Sequence, residues 1–305
     1  TIRRQRETLT ANRVPGNDFV LLHSRSQVFC KGFHMQLVMA CLPRRDHPFQ
    51  GGGRLLRDIQ VSFTRPQEVL RTQRADMYPE VGKAATRILE ALGFNVILEH
   101  QKVCCGRPLI SKGQLNIARD RARSNVEALV PHARKGTFIV VTEPSCLLTL
   151  RDEYPDLLRD EASREVASQA LMLDELLTLL AQKEPETVNA LFREHDLPPV
   201  QVHGHCHQKA IVGTDPTMDA LALAGIQAEL IDSACCGMAG TFGFEAEHYE
   251  MSKAMGSMKL FPAIEASDRR DWKVAISGIS CRQQIAHFTG VAAHSPATLL
   301  DTLSN

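Results

Sequence analysis

The feature that most constrains this chain is a Cys-Cys-Gly triplet that occurs twice, at residues 104–106 and 235–237. A Ser-Cys pair follows each triplet about forty residues later and ends at Cys146 and at Cys281. Once Cys206 is included, seven of the nine cysteines fall into this scheme. Cysteines spaced in this way can hold one metal centre only if the fold brings distant loops to a common point. The spacing therefore favours a fold in which several loops converge.

Strands and helices alternate around these cysteines. The pattern predicts strands over 58–63, 94–98 and 137–142 in a first half, and over 200–203, 228–231 and 273–277 in a second half. Predicted helices lie between them at 80–92, 113–129, 217–224 and 245–260, and Cys146 and Cys281 each begin a further helix. This order predicts the α/β class, with two similar βαβ-type half-repeats and mostly parallel sheets. Ligands of such sheets bind beyond the carboxyl ends of the strands, where the cysteine loops then lie.

The repeats divide the chain into four predicted segments. These are a basic N-terminal extension (1–57), a first cysteine-rich repeat (58–165), a helical linker (166–198) and a second cysteine-rich repeat (199–305). The extension holds ten Lys or Arg and three Asp or Glu, and its Cys30 and Cys41 match no ligand spacing. We expect a poorly ordered arm, and a basic arm that docks on an acidic partner is the alternative.

Composition narrows the class of protein. The formal net charge is zero, so no global charge favours nucleic acid as a partner. No apolar run approaches the ~20 residues that span a bilayer. An odd number of cysteines, two pairs of them adjacent, fits disulfide pairing poorly. We therefore expect a reducing, cytoplasmic compartment in which thiolates serve metal or redox chemistry.

The second cysteine set consists of Cys206, Cys235, Cys236 and Cys281. Four thiolates on three loops suit an iron–sulfur centre or tetrahedral zinc, and buried structural cysteines are the plainer alternative. Gly237 lets the backbone turn toward bound sulfur and donate N–H groups to it. His203 lies three residues before Cys206, and His205 and His207 flank it. They are candidates for contacts to the cofactor, or loop histidines whose nitrogens bond to the backbone.

The first cysteine set is smaller and consists of Cys104, Cys105 and Cys146. Thr64-Arg65 stands where the second copy has His205-Cys206. Either a foreign ligand such as Glu143 completes a site there, or this copy has lost its cluster and serves as a docking surface. Arg107, followed by Ser111 and Lys112, lies near a predicted helix N-terminus and is a candidate for binding an anion.

These motifs resemble the cysteine-rich domain known for its Cys-Cys-Gly signature. That domain occurs in one of the subunits of heterodisulfide reductase, in the iron–sulfur subunit of glycolate oxidase and in one of the subunits of anaerobic glycerol-3-phosphate dehydrogenase. The sequence is also similar to the C-terminal part of FAD-linked D-lactate and D-2-hydroxyacid dehydrogenases. The stretches that carry the resemblance lie within residues 75–305: CCGRPLISKG (104–113), EPSCLLTLRDEY (143–154), HGHCHQK (203–209), CCGMAGTFGFE (235–245) and SCRQQI (280–285).

The resemblance implies an iron–sulfur module of the 4Fe-4S type. Such a module relays electrons from a flavin, held as FAD on a partner domain or subunit, toward a quinone at the inner face of the membrane or toward another acceptor. Its expected partners are a flavoprotein dehydrogenase of D-2-hydroxy acids (lactate or glycolate type) and a ferredoxin-type iron–sulfur segment. The sequence shows neither a flavin domain nor the cysteine run of a ferredoxin-type segment. We therefore expect part of an oxidoreductase that does not turn over alone.

Two alternatives differ in chemistry. The reductase relative cleaves a heterodisulfide at a centre bound by five cysteines, including a final Cys-x-x-Cys. Here Glu143 and Gly278 occupy the first positions of the two corresponding pairs, which leaves four cysteines in the second set. The other alternative is a zinc-binding scaffold without enzymatic activity.

Overall fold

The computed structural model describes residues 38–43 and 78–304. The predicted strand at 58–63, the Thr64-Arg65 pair and most of the predicted N-terminal extension lie outside the described residues. Eight strands are present in the described part of the chain. They are β1 (Val38–Pro43), β2 (Phe94–Leu98), β3 (Phe138–Val141), β4 (Ala170–Leu171), β5 (Val200–Val202), β6 (Ala228–Leu230), β7 (Lys273–Ala275) and β8 (Ala293–His294).

The strands form two four-stranded sheets of the same order, β2-β1-β3-β4 and β6-β5-β7-β8. All pairs of the second sheet are parallel, as is the pair β3–β4. Strand β1 runs antiparallel to both of its neighbours, with Cys41 opposite Val96 and Phe138. The α/β class with parallel pairing is confirmed. Strand β1 was not predicted, because its residues fall within the segment interpreted as an N-terminal extension (1–57).

Helices alternate with the strands along the chain. In the first half they are α1 (Pro79–Ala91), α2 (Arg107–Ser111), α3 (Leu115–Ala133), α4 (Pro144–Leu148), α5 (Tyr154–Leu158), α6 (Glu161–Gln169), α7 (Leu173–Lys183) and α8 (Pro185–Asn189). In the second half they are α9 (Cys206–Ile211), α10 (Asp215–Leu223), α11 (Tyr249–Ser257), α12 (Leu260–Glu265), α13 (Ile279–Thr289) and α14 (Pro296–Asp301). A π-helical turn at Thr149–Glu153 joins α4 to α5. None of the described helices is long and apolar enough to cross a membrane.

The single helix predicted at 245–260 is interrupted in the structure. Short 3₁₀ turns occupy Phe242–Phe244 and Ala246–His248, α11 ends at Ser257, and α12 begins at Leu260. The break lets the chain fold back so that the ring of Phe261 lies directly against Gly256, where a Cβ would overlap it. The contact between Phe261 and Gly256 accompanies the break in the predicted helix.

The two halves share one hydrophobic core. The shared core includes Leu89 of α1, Leu176 of α7, Val200 of β5, Leu221 of α10 and Leu300 of α14. A separate cluster of buried side chains lies below each cysteine set, with Cys105 in one and Cys236 and Cys281 in the other. The segment predicted as a linker supplies β4 to the first sheet and α7 to the shared core. This shared core fixes the two halves, and with them the loops that carry the cysteines, relative to each other.

Candidate metal centre

The second cysteine set is assembled at the carboxyl ends of three neighbouring parallel strands. Cys206 begins α9 after β5, Cys235 and Cys236 lie in the loop after β6, and Cys281 lies in the first turn of α13 after β7. The Sγ atoms of Cys236 and Cys281 are 3.1 Å apart. Cys235 forms side-chain hydrogen bonds with both Cys206 and Cys236. The structure therefore brings the four predicted sulfur atoms into one continuous chain of contacts.

The four thiols share protons unequally. Hydrogen bonds from Cys206 and Cys236, together with backbone N–H groups, lower the pKa of Cys235, and the same pairing with Cys235 raises the pKa of Cys206. A hydrogen bond from Cys236 lowers the pKa of Cys281, with further contributions from His203 and His205. Of the four sulfur atoms, those of Cys235 and Cys281 thus favour the thiolate form. Thiolate is the form of cysteine that binds metals.

The loop that carries Cys235 and Cys236 turns tightly around them. Gly237 has a φ of +99°, and a Cβ at this position would overlap the carbonyl oxygen of Ser252. Its N–H donates to the Sγ of Cys235 at 3.3 Å, and the N–H of Ala239 does so as well. Ala239 itself has a positive φ of 41°. A strained turn that directs two N–H groups at one sulfur stabilises negative charge on that sulfur.

His203 is one of the three histidines considered from the sequence, and it is the one that the structure groups with cysteine sulfur atoms among the described residues. One of its ring nitrogens and the sulfur atoms of Cys236 and Cys281 lie within 4.8 Å of one another. Its side chain is buried, and Nδ1 is 2.7 Å from the hydroxyl of Ser233. The available signal was its place immediately after β5, on the edge of the sheet where the cysteines meet.

His205 and His207, on either side of Cys206, contact different residues of the first half. Nε2 of His205 is 3.2 Å from the hydroxyl of Ser145, and the ring fills the space beside Gly278 where a Cβ would stand. Nε2 of His207 is 3.8 Å from the carboxylate of Glu153. Burial, with a contribution from Arg107, lowers the pKa of His207 to about 4. The imidazole that faces Glu153 is therefore neutral at neutral pH.

The first cysteine set also comes together. The Sγ atoms of Cys105 and Cys146 are 3.4 Å apart, and Cys104 hydrogen-bonds to Cys105. That bond from Cys104 lowers the pKa of Cys105, but the bond to Cys146 and burial outweigh it and raise the pKa well above its usual value. Asn125 and Tyr154 fix the loop, because they bond to each other and donate to the carbonyl oxygens of Cys104 and Cys105.

Glu143, considered above as a ligand of the first set, points toward the second half instead. Its carboxylate accepts hydrogen bonds from the N–H of Ser145 at 3.3 Å and from that of Ile279 at 2.8 Å. Burial raises its pKa, an effect that His205 and the Ile279 N–H oppose. The carboxylate thus links the N-termini of α4 and α13, and this geometry gives the ligand role no support.

The charged groups of the predicted anion site are paired with carboxylates. Arg107 forms an ion pair with Glu153, and Lys112 forms one with Glu245. Arg107 and Lys112 belong to the first half, whereas Glu245 belongs to the second. Together with the Glu143–Ile279 and Ser145–His205 contacts, these interactions place the two cysteine sets against each other where the halves meet.

The residues of the second set fit a metal centre. The set combines four free cysteines, a nearby imidazole and a glycine turn that donates to sulfur. The donor atoms are mainly soft sulfur, which suits iron–sulfur clusters and zinc rather than calcium or magnesium. The buried surroundings of Cys236 and Cys281 would shield such a centre from water.

Comparison with known proteins supports the resemblance seen in the motifs. Residues 68–151 match the family model of the CCG cysteine-rich domain. This match confirms the family resemblance for the first half of the chain.

Curated relatives extend the similarity over most of the chain. One of the subunits of anaerobic glycerol-3-phosphate dehydrogenase from Escherichia coli K12 is 34% identical over 234 residues, which cover 73% of this chain and 55% of that protein. D-2-hydroxyglutarate dehydrogenase of the same strain is 28% identical over 216 residues, or 70% of this chain and 20% of that protein. Lactate utilization protein A of Halalkalibacterium halodurans is 28% identical over 175 residues, or 54% of this chain and 67% of that protein. The chain thus spans about half the length of the glycerol-3-phosphate dehydrogenase subunit.

Proposed function

We propose that this chain is an iron–sulfur electron-transfer module of a flavin-linked dehydrogenase. The observation that carries the proposal is the meeting of Cys206, Cys235, Cys236 and Cys281 at one edge of the second sheet, where Cys236 and Cys281 are buried. The names of two relatives, a glycerol-3-phosphate dehydrogenase subunit and a D-2-hydroxyglutarate dehydrogenase, support the assignment to this class of enzyme.

In this proposal the four cysteines of the second set hold a cluster of the 4Fe-4S type. When bound, an iron–sulfur cluster accepts and passes on one electron at a time. The chain supplies the surroundings. Gly237 and Ala239 donate N–H groups to the sulfur of Cys235, and such hydrogen bonds stabilise the reduced, more negative state. Burial of Cys236 and Cys281 keeps water from the sulfur atoms.

The partner and the substrate class follow from the chemistry of the relatives' substrates. Glycerol 3-phosphate, D-2-hydroxyglutarate and lactate each carry a hydroxyl group whose oxidation releases two electrons. A flavin can take up both electrons as a hydride and release them singly, which a cluster requires. We therefore place FAD on a partner domain or subunit, with a ferredoxin-type segment on the route. A quinone acceptor would bring the assembly to the inner face of the membrane.

The first cysteine set is proposed as a docking surface rather than a second centre. It has three cysteines among the described residues, and Glu143 is already bonded to two helix N-termini. Its position against the second set would bring a protein docked there close to the cluster. Arg107 and Lys112 would steer that partner less than free cations do, because each is paired with a carboxylate.

The disulfide-reductase alternative has less structural support. A cysteine at position 278 would need the space that the ring of His205 occupies, so the second set has no room for a fifth thiolate there unless that ring moves. The contacts of His205 with Ser145, in the opposite half, hold the ring in place. A relay built on four cysteines fits this geometry better.

Reductive titration tests the proposal. The full chain is purified anaerobically, reconstituted with ferrous iron and sulfide, and mixed with photoreduced FMN as electron donor and a short-chain quinone as acceptor. We expect visible absorbance that bleaches with reduced FMN and returns with the quinone. A colourless protein that binds zinc without acid-labile sulfide would overturn the proposal in favour of the scaffold. Release of thiol from an added disulfide would favour the reductase.

A further inference from the structure

A buried histidine faces the second cysteine set with an unused nitrogen. The side chain of His203 is 1% exposed. Nδ1 is engaged by Ser233, whereas Nε2 is buried without a hydrogen-bond partner in the described structure. The nitrogen available to the sulfur atoms of Cys236 and Cys281, which lie within 4.8 Å of the ring's ligand atom, is therefore Nε2.

The hydrogen bond behind the ring is compatible with a proton on Nδ1. The hydroxyl of Ser233 lies 2.7 Å from Nδ1 of His203 and accepts from Nδ1–H in that tautomer. Lys209 donates to the carbonyl oxygen of Ser233 and holds this residue in position. The tautomer that results has a lone pair on Nε2. This is the arrangement in which metal-binding histidines occur, with the distal nitrogen bonded to a hydrogen-bond acceptor.

In a purely structural role the proton would sit on Nε2 instead, and Nε2–H would donate to the thiolate of Cys281. A buried nitrogen without a partner costs about 1–3 kcal/mol in desolvation. His205, two residues on, is also buried but uses its Nε2 in a contact with Ser145. His195 has both nitrogens occupied, by the carbonyl oxygen of Ala224 and the N–H of Leu197. His205 also leaves one buried nitrogen, Nδ1, without a partner, but of these three rings only that of His203 groups with the sulfur atoms of Cys236 and Cys281.

We propose that Nε2 of His203 is a nitrogen ligand of the cluster held by the second cysteine set, beside Cys236 and Cys281. The inference rests on the proposed function and deepens it. A 4Fe-4S cluster has four irons, each with one protein ligand, so His203 would take the place of one of the four thiolates and make a centre of mixed sulfur and nitrogen donors. A neutral imidazole adds no negative charge. Replacement of a thiolate by histidine raises the reduction potential of an iron–sulfur centre.

Pulsed electron paramagnetic resonance on the reduced centre tests the assignment. The full chain is labelled with ¹⁵N-histidine, reconstituted anaerobically with ferrous iron and sulfide, and reduced with dithionite. We expect a nitrogen hyperfine coupling of the size of a metal-bound imidazole. The coupling should be absent in His203→Ala and in His203→Cys, and present in the control His195→Gln. His203→Cys, which offers a thiolate instead, should also show a lower reduction potential than the wild type.

The possible results separate this inference from the proposed function. A cluster that forms without such a coupling, or whose coupling survives in His203→Cys, overturns the role of His203 and leaves the relay intact. Failure of the wild-type chain to bind iron and sulfide overturns the relay, and the ligand assignment with it. The wild-type spectrum decides whether nitrogen is bonded even if His203→Ala does not fold.

Discussion

At the scale of single residues, the second cysteine set consists of four cysteines from repeated motifs and of neighbours, such as Gly237 and His203, that the fold brings to their sulfur atoms. The repeated Cys-Cys-Gly triplet can be recognised in the sequence without knowledge of the fold. The role of Gly237 was also open to prediction, because only glycine tolerates a turn of this kind. Which of the three histidines near Cys206 faces the sulfur atoms depends on the direction of each side chain as the chain leaves β5. Sequence spacing does not contain that information.

The conformation of Gly237 leads to a prediction about a single methyl group. Gly237→Ala should abolish cluster binding and lower the free energy of unfolding, because the new Cβ overlaps a backbone oxygen and the φ is positive. Gly213→Ala is the matched control, since its φ is +86° but nothing lies within 4 Å of the added Cβ. The control should cost only the ~1–2 kcal/mol of a left-handed alanine. Urea unfolding and iron content measure both effects, and equal losses in the two variants would contradict the account.

At the scale of helices and strands, hydrophobic periodicity predicted those elements that bury one regular apolar face. The strand Phe94–Leu98 and the helix Pro79–Ala91 follow the sequence pattern closely, because each buries one regular apolar face. Strand β1 could not be recognised in this way, since a short apolar run reads equally well as strand or helix. The break between α11 and α12 was hidden for another reason. It coincides with the contact of Phe261 with Gly256, and hydrophobic periodicity does not register such a contact.

A buried acid at a helix junction gives a prediction about pH. Asp174 of α7 accepts a hydrogen bond from Thr217 of α10, and Thr217 in turn accepts one from Gln208 of α9, the helix that begins with Cys206. Burial raises the pKa of Asp174 from 3.8 to about 6. The folded state therefore binds this proton more tightly than the unfolded state does. Its contribution to stability is fully present below the ordinary pKa of 3.8 and is lost as the pH rises from there through 6.

Asp174→Asn should remove this dependence, because an amide does not titrate. Relative to the wild type, the variant should gain roughly 1–3 kcal/mol in the free energy of unfolding between pH 4 and pH 7. Any fixed cost of a lost hydrogen bond is the same at both values and cancels. Asp219→Asn, on the exposed face of the same α10, is the control and should show no such change. Urea titrations of the three proteins at both pH values measure the free energies of unfolding. The same difference between Asp174→Asn and the wild type at pH 4 and at pH 7 would refute the prediction.

At the scale of the whole molecule, the repeated order of strands and cysteines predicted two similar units with their cysteine loops at one edge. The two sheets do share one strand order. The way the units join was not predictable, because it depends on long-range packing. Residues from both halves build the shared core, and Glu143 of one half bonds to the helix that carries Cys281 of the other. The two cysteine sets consequently border each other, which the repeat pattern alone does not reveal.

The central claim is that the second cysteine set binds an iron–sulfur cluster. Its most direct test is the content of iron, zinc and acid-labile sulfide in anaerobically prepared wild type, Cys281→Ser and Cys30→Ser, the last of which belongs to neither cysteine set. We predict iron and sulfide in matched amounts in the wild type and Cys30→Ser, and their loss in Cys281→Ser. Zinc without sulfide in the wild type, or iron and sulfide undiminished in Cys281→Ser, would contradict the claim.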